Sequence, residues 1–243
     1  MKKGIRYGAA SVIGKAHLDD ALPNQDAFLI KNMSYGTIIV MADGMGSKKK
    51  ADIGSKMICR AVCEAVEVWI KYRDVRKETL IKLIHSLWNI YISPNSKEDC
   101  GTTCLFAIIL KKKIIFGQLG DGMISYEINK SYRTISREKN DFSNMTNSIH
   151  SVKKIDDWVF EEVEDFGESI RIMMCTDGIS EDLIEDKVEK FLAYLSNEIL
   201  QINDVNKRNR KLKEMILDWP TKFSSDDKTL VIFERREVKK WKK

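Results

Sequence analysis

The chain has 243 residues, of which 43% are hydrophobic, with 41 lysines and arginines against 36 aspartates and glutamates and only 3 prolines. This composition excludes an intrinsically disordered, collagen-like or proline-rich protein, and a chain of this length can bury a core without disulfides or a structural metal. The longest apolar runs, such as Ile38–Ala42 and Cys104–Leu110, are far shorter than the roughly 18 residues of a membrane-spanning helix, so we expect no membrane partner.

In chain order, the hydrophobic pattern predicts strands, two helices, more strands, two further helices and a last strand. The predicted strands are Ile5–Val12, Ala27–Lys31, Thr37–Ala42, Thr102–Leu110, Lys113–Leu119, Met123–Asn129, Ile170–Thr176 and Thr229–Glu234. The predicted helices carry the apolar stripes Ile53, Met57, Ala61, Ala65, Trp69 and Leu80, Leu83, Ile84, Leu87, Trp88, Tyr91, and then cover Glu185–Leu200 and Asp204–Leu217.

This order is not the regular alternation of a parallel doubly wound fold, and it indicates an α+β protein of antiparallel sheets with helix pairs packed outside them. Thr102–Leu110 and Lys113–Leu119 are predicted to form a hairpin, with Met123–Asn129 as a third antiparallel neighbour. Because no long linker or internal repeat interrupts the chain, residues 1–243 are predicted to form a single domain.

The cysteine content favours a reducing compartment. The chain has 5 cysteines, an odd number, and its N-terminus shows no export segment, so we expect free thiols and a cytoplasmic location. Two C-x3-C spacings, Cys59/Cys63 and Cys100/Cys104, raise the alternative of a zinc site, but packing of these side chains as small apolar residues is the favoured interpretation.

The basic charge is concentrated at the C-terminus. Residues 234–243 contain six basic and two acidic side chains, which leaves the remaining chain close to neutral. Residues 235–243 are therefore predicted to be a solubilising basic tail, and no nucleic-acid partner is expected.

Three predicted strands end in an aspartate followed by glycine, at Asp43, Asp121 and Asp177. A single Asp-Gly pair usually marks only a turn, but three at strand ends favour a shared site. Asp26 opens another predicted strand, and Asp226 precedes the last one. If these side chains converge, their mutual repulsion requires cations, and an all-oxygen donor set favours Mg²⁺ or Mn²⁺ over zinc.

These motifs resemble, in order and spacing, those of bacterial members of the protein phosphatase 2C family, which are metal-dependent serine/threonine protein phosphatases. The blocks that carry the resemblance are Ser11–Phe28, Val40–Ser47 (VMADGMGS), Gly101–Thr103, Leu119–Asp121, Cys175–Gly178 and Asp226–Thr229. The resemblance covers nearly the whole chain. It implies a four-layer αββα sandwich with two, and as many as three, Mn²⁺ or Mg²⁺ ions at one end between the sheets.

The resemblance also implies roles for individual residues. The implied metal ligands are Asp26, Asp43, Gly44 (through its carbonyl), Asp121, Asp177 and Asp226. Asp43 would bridge two ions, and Asp121 would join Asp177 at an additional ion. Asp43 and Asp177 would act in catalysis through metal-bound water, with a bridging hydroxide attacking phosphorus.

The chain departs from the family pattern where many members carry an arginine that grips the substrate phosphate. Here that neighbourhood holds His17. One hypothesis is that His17 contacts the phosphate or donates a proton, and the other is that it is an ordinary histidine of a surface loop. The polar segment 136–169 corresponds to the place where the family has a flap near the site.

The predicted function is hydrolysis of phosphoserine and phosphothreonine in proteins, opposing a serine/threonine kinase, by a monomer. Two alternatives remain open at this point: a pseudophosphatase or metal-dependent binding module, and a hydrolase of small phosphate esters on the same fold.

Overall fold

The computed structural model describes residues 3–72, 76–135, 147–152, 155–164, 166–167, 169–220 and 225–237. Its strands are β1 (Lys3–Val12), β2 (Ala27–Met33), β3 (Gly36–Ala42), β4 (Cys104–Leu110), β5 (Lys113–Leu119), β6 (Met123–Ile128), β7 (Ser131–Ile135), β8 (Val159–Glu164), β9 (Ser169–Cys175) and β10 (Lys228–Glu237). Its helices are α1 (Lys15–Asp19), α2 (Ala51–Lys71), α3 (Lys77–Ile92), α4 (Asp177–Ser180), α5 (Val188–Glu198) and α6 (Val205–Leu217).

The strands form two antiparallel sheets. Sheet I has the order β1-β10-β9-β6-β7, and sheet II has the order β2-β3-β4-β5-β8. Helices α2 and α3 cover the outer face of sheet II, and helices α5 and α6 cover that of sheet I. The predicted α+β sandwich of four layers is confirmed.

The continuous apolar runs of the central strands follow from burial on both faces. In β3, Ile38 and Val40 pack on the helix side, whereas Ile39 and Met41 pack against sheet I. Successive side chains of a strand point to opposite faces, so a strand between a helix layer and a second sheet needs apolar residues at every position.

The predicted helical stripes are confirmed as buried faces. Ala61, Ala65 and Trp69 of α2 are buried against sheet II, with Ile53 and Met57 partly buried beside them. The indole nitrogen of Trp88 in α3 donates a hydrogen bond to the carbonyl of Gly54, at 3.1 Å, and so joins the two helices. No helix in the described residues is long and apolar enough to cross a membrane.

The prediction that Met123–Asn129 extends the β4–β5 hairpin was wrong. β6 belongs to sheet I, where it pairs with β9 and β7, and β8 is the strand that pairs with β5. The chain crosses between the sheets at Gly120 and Gly122, which have φ of +86° and +106°. Glycine adopts this left-handed backbone at little cost, and the two glycines therefore allow the turn by which the chain leaves sheet II.

The predicted basic tail overlaps a strand. β10 continues to Glu237, and Arg235 is buried, with Nη1 donating to the carbonyl of Leu110 at 2.6 Å and the guanidinium 4.2 Å from the ring centre of Phe166. Residues 235–237 are therefore strand rather than tail, and residues 238–243 lie outside the described residues. The segment 136–169, predicted as a flap, contains β8, and its residues 136–146 also lie outside the described residues.

Candidate metal centre

Four of the predicted aspartates meet at one end of the sandwich. Asp26 immediately precedes β2 and Asp43 immediately follows β3, and the first residue of β2 is paired with the last residue of β3. Asp177 lies just after β9 and Asp226 just before β10, which are likewise paired. Antiparallel pairing places the end of one strand beside the beginning of its neighbour, so each sheet contributes two carboxylates to the same end.

The charges of these carboxyl groups act on one another. Direct interaction between the side chains of Asp43 and Asp177 favours a higher pKa for Asp43 and a lower pKa for Asp177. Burial, followed by the charges of Asp26, Asp177 and Asp226, raises the pKa of Asp43 well above its usual value. Burial and the charge of Asp226 raise the pKa of Asp177 to about 6. Ionised together, these groups are costly unless positive charge is bound among them.

Asp26 is the most enclosed member of the set, at 5% exposure. Burial raises its pKa to about 8, although the hydroxyls of Thr229 and Thr176 act in the opposite direction. Both hydroxyls donate to the same oxygen, Oδ2, at 2.7 and 2.8 Å. The other oxygen, Oδ1, is buried and has no hydrogen-bond partner among the described residues.

The donor set fits a divalent cation of the Mg²⁺ or Mn²⁺ type. Besides Oδ1 of Asp26, Oδ1 of Asp177 is buried without a hydrogen-bond partner in the described part of the chain. A buried carboxylate oxygen without a partner is destabilising, and coordination of a cation compensates for it. Since the four aspartates offer only oxygen, hard ions are favoured over those that prefer nitrogen or sulfur.

The loop after Asp43 is held by the segment that precedes β4. The amide of Asp43 donates to Oγ1 of Thr103 at 2.9 Å, and its carbonyl accepts from Oγ1 of Thr102 at 2.8 Å. Gly44 is packed so closely that a Cβ there would lie 2.7 Å from the carbonyl oxygen of Ala51 and 2.8 Å from that of Gln25. The glycine is therefore required for this backbone path, and the two threonines fix Asp43.

Asp227 belongs to the last sequence block, which predicts no role for it, and in the structure it lies at the centre of a second set of hydrogen bonds. Asp227 is only 2% exposed. Its Oδ2 accepts hydrogen bonds from Nδ1 of His17 at 2.8 Å and from the amide of Gln25 at 2.6 Å. Its Oδ1 accepts from the amide of Gly14 at 2.7 Å. These donors occupy both oxygens. Asp227 is thus an anchor for the segment around α1.

His17 lies beside this set and close to the carboxylate cluster. Its Nδ1 is 3.8 Å from Oδ1 of Asp226, so ligand atoms of His17, Asp226 and Asp227 lie within 4.8 Å of one another. Because Nδ1 is used by Asp227, the other ring nitrogen, Nε2, is the one available to a ligand. Nε2 lies 4.0 Å from where a Cβ on Gly46 would be, in the loop that follows Asp43 and Gly44.

Asp121 occupies a more exposed position than the other predicted ligands. It lies in the turn between β5 and β6, where Nε2 of Gln118 donates to the carbonyls of Gly120 and Gly122 at 3.3 and 3.1 Å. A Cβ on Gly122 would lie 2.9 Å from the carbonyl oxygen of Cys175, so this turn packs against the end of β9. Its role as an additional ligand stays a prediction.

A sequence model of the family described as Protein phosphatase 2C matches residues 13–217. The matched region contains Asp26, Asp43, Asp121 and Asp177 and ends before Asp226. No curated protein matches the chain significantly.

Several solved structures share the fold. The catalytic domain of the serine/threonine protein phosphatase PstP, in complex with 2 manganese ions, superposes with a TM-score of 0.64 at 16% identity, over 97% of this chain and 100% of that one. The serine/threonine phosphatase Stp1 from Staphylococcus aureus superposes with a TM-score of 0.64 at 16% identity, over 98% of this chain and 96% of that one. RsbX in complex with magnesium gives 0.59 at 14% identity over 96% of each chain. At such low identity these similarities show a common fold.

Proposed function

Because the chain belongs to the protein phosphatase 2C family, whose members are phosphoprotein phosphatases, we propose that it is a Mn²⁺- or Mg²⁺-dependent serine/threonine protein phosphatase. The observation that carries this proposal is the cluster of Asp26, Asp43, Asp177 and Asp226 at one end of the sandwich. Two of its oxygens, Oδ1 of Asp26 and Oδ1 of Asp177, are buried without a hydrogen-bond partner in the described residues, which suits carboxylates that ligate the cation of a metal-dependent hydrolase.

The proposed ligands are those implied by the sequence: Asp26, Asp43, Gly44, Asp121, Asp177 and Asp226. Divalent cations at such a site supply an activated water nucleophile and neutralise the oxygens of the phosphoryl group. Asp43 and Asp177, whose side chains interact directly, would both hold these cations. The Asp43 amide donates to the hydroxyl of Thr103 and the Asp43 carbonyl accepts from the hydroxyl of Thr102, and these two bonds keep Asp43 in place.

His17 is proposed as the substrate contact that takes the place of the arginine found in many family members. Asp227 holds the ring through Nδ1 at 2.8 Å, which directs Nε2 toward the loop at Gly46. When both ring nitrogens carry a proton, Nε2 donates a hydrogen bond to a phosphoryl oxygen, a charge-assisted contact of the strong type. Donation of that proton to the leaving oxygen is the second role this atom can fill.

The proposed substrate is a phosphoserine or phosphothreonine side chain of a protein, phosphorylated by a serine/threonine kinase. We propose that the enzyme acts as a monomer in the cytoplasm, in keeping with its five buried, free cysteines.

The direct test is a comparison of two substrates, p-nitrophenyl phosphate and a phosphothreonine peptide, with Mn²⁺, Mg²⁺ or EDTA. Wild type, Asp43→Asn and a control, Asp186→Asn, are assayed together; Asp186 is exposed, in the turn before α5. We expect metal-dependent hydrolysis of both substrates by wild type and the control, and none by Asp43→Asn or with EDTA.

The other results separate the alternatives. Binding of Mn²⁺ without hydrolysis of any phosphoester would identify a metal-dependent binding module. Hydrolysis of p-nitrophenyl phosphate without activity on phosphopeptides or phosphoproteins would identify a hydrolase of small esters.

A further inference from the structure

The side chain of Asp26 is held asymmetrically. Oδ2 accepts two hydroxyl hydrogen bonds, from Thr229 Oγ1 at 2.7 Å and Thr176 Oγ1 at 2.8 Å, while Oδ1 is buried and has no partner in the described residues. Thr176 and Thr229 are themselves almost fully buried, at 1% and 0% exposure. Two charge-assisted hydrogen bonds on one oxygen fix both the rotation of the carboxylate and the identity of the oxygen that remains available.

The direction of the hydrogen bonds to Asp26 is settled by counting hydrogens. When Asp26 ligates a cation its carboxylate carries no hydrogen, and a hydroxyl carries only one, so in that state Thr229 donates its hydrogen to Asp26. Oγ of Ser11, at 2.8 Å from Oγ1 of Thr229, therefore donates to Thr229, and Nδ2 of Asn24 donates to Ser11 at 2.9 Å.

Asn24 also closes the chain of hydrogen bonds onto Asp26. Its Oδ1 accepts from the amide of Asp26 at 2.9 Å, so the series that starts at the backbone of Asp26 returns to its carboxylate. Thr176 is fixed in a similar way, because its Oγ1 accepts from the amide of Thr229 at 3.0 Å. The two hydroxyls are thus held by the β9–β10 pair of sheet I, although Asp26 precedes β2 of sheet II.

We propose that Thr176 and Thr229 are positioning residues for the metal centre: their hydroxyls occupy Oδ2 of Asp26 and commit Oδ1 alone to a divalent cation. Asp26 is then a ligand through Oδ1 only. The orientation of its carboxylate is set by two hydroxyls from sheet I, although Asp26 itself precedes a strand of sheet II. This inference rests on the metal centre of the proposed function and adds the residues that orient one of its ligands. Such partners of a ligating carboxylate typically change metal affinity by roughly 10- to 100-fold when removed.

The test measures Mn²⁺ binding by calorimetry on the full-length protein, independently of turnover. Thr176→Val and Thr229→Val keep the shape of the side chain and remove the hydroxyl, whereas Thr176→Ser and Thr229→Ser keep the hydroxyl. The matched control is Thr37→Val, because Thr37 is also buried, at 1% exposure, and donates through Oγ1 to Asn32 at 2.9 Å, but lies near the start of β3, at the opposite end from Asp43.

We expect each valine variant to bind Mn²⁺ about 10-fold or more weakly, each serine variant to stay within about 3-fold of wild type, and Thr37→Val to bind as wild type does. A purely structural role would lower the melting temperature of the valine variants and of Thr37→Val alike without weakening metal binding. If folded valine variants bind Mn²⁺ as tightly as wild type, the inference is overturned. It is also overturned if serine weakens binding as much as valine does.

Turnover separates this inference from the proposed function. Wild type that binds Mn²⁺ but hydrolyses no phosphoester would refute the proposed function, and the pattern of valine and serine variants would still support the positioning role. Wild type that binds no Mn²⁺ at all would overturn both.

Discussion

Oδ2 of Asp227 lies 2.8 Å from Nδ1 of His17, which fixes the histidine ring at the edge of the carboxylate cluster. The same carboxylate accepts the backbone amides of Gly14 and Gln25. One buried aspartate therefore holds both the histidine and the segment that leads into Asp26.

This relationship predicts opposite roles for two adjacent aspartates. Asp227→Asn replaces an acceptor of three hydrogen bonds by an amide whose NH₂ faces donors, so we expect the free energy of unfolding to fall by about 2–3 kcal/mol. Asp226→Asn is expected to weaken Mn²⁺ binding instead, with little loss of stability in the metal-free protein, because the Asp226 side chain is 47% exposed. Urea unfolding with EDTA and calorimetry with Mn²⁺ measure the two effects. Equal stability loss in both variants would contradict the assignment.

His17→Asn is predicted to reduce kcat/KM for a phosphopeptide by roughly 10- to 100-fold, as expected for the loss of a charge-assisted hydrogen bond. Mn²⁺ affinity should change by less than about 3-fold, because His17 is proposed to contact substrate rather than metal. The control is His85→Asn, since His85 lies on α3 with its ring 6.3 Å from that of Trp158. An unchanged kcat/KM for His17→Asn would show that the phosphate is held by another group.

The clustered carboxylates predict that metal stabilises the fold. Mn²⁺ at about 100 times its dissociation constant should add about 2.7 kcal/mol to the free energy of unfolding, and EDTA should reverse the gain. Asp43 has a raised pKa, so its ionised form costs stability once the pH exceeds the ordinary carboxyl range. Asp43→Asn should therefore raise the melting temperature of the metal-free protein at pH 7.5 and abolish the gain with Mn²⁺. A metal-free variant less stable than wild type would contradict this explanation.

The buried end of β10 predicts that Arg235 contributes to stability although the sequence places it in a basic run. Arg235→Met leaves the carbonyl of Leu110 without its donor and should lower the free energy of unfolding by about 1–3 kcal/mol. Arg236→Met is the matched control, because Arg236 is exposed and its ion pair with Glu234 is expected to contribute less than about 1 kcal/mol. The free energies of unfolding of both variants are measured in denaturant. Equal losses would contradict the buried role of Arg235 and would mean that residues 235–236 both behave as solvent-exposed residues.

The sequence sufficed for much of the fold because most elements have a strong apolar period. The stripe along α2 and the continuous apolar run of β3 each match a buried surface. The short elements α1, α4 and β7 were missed, since four or five partly polar residues give no usable period. The sheet that β6 joins was also missed, because the positive φ of Gly120 and Gly122 redirects the chain by backbone geometry that an Asp-Gly pair alone does not specify.

The candidate site was predictable where a residue stands at the end of a long apolar strand, as Asp43 and Asp177 do. The residues that orient the site were not. Thr176 and Thr229 lie within two of the sequence blocks but carry no predicted role, and only the pairing of β9 with β10 shows that they contact Asp26. Asp227 is buried and accepts three hydrogen bonds whereas the Asp226 side chain is half exposed, a difference that the sequence of two adjacent aspartates does not reveal.

The most direct test of the metal centre is recovery of activity after metal removal. The protein is stripped with EDTA, dialysed and titrated with Mn²⁺ while phosphate release from a phosphothreonine peptide is measured. We predict no hydrolysis by the stripped protein, saturable recovery in wild type and Asp186→Asn, and none in Asp43→Asn. Hydrolysis that persists in the stripped protein, or that Mn²⁺ restores equally in Asp43→Asn, would contradict the account.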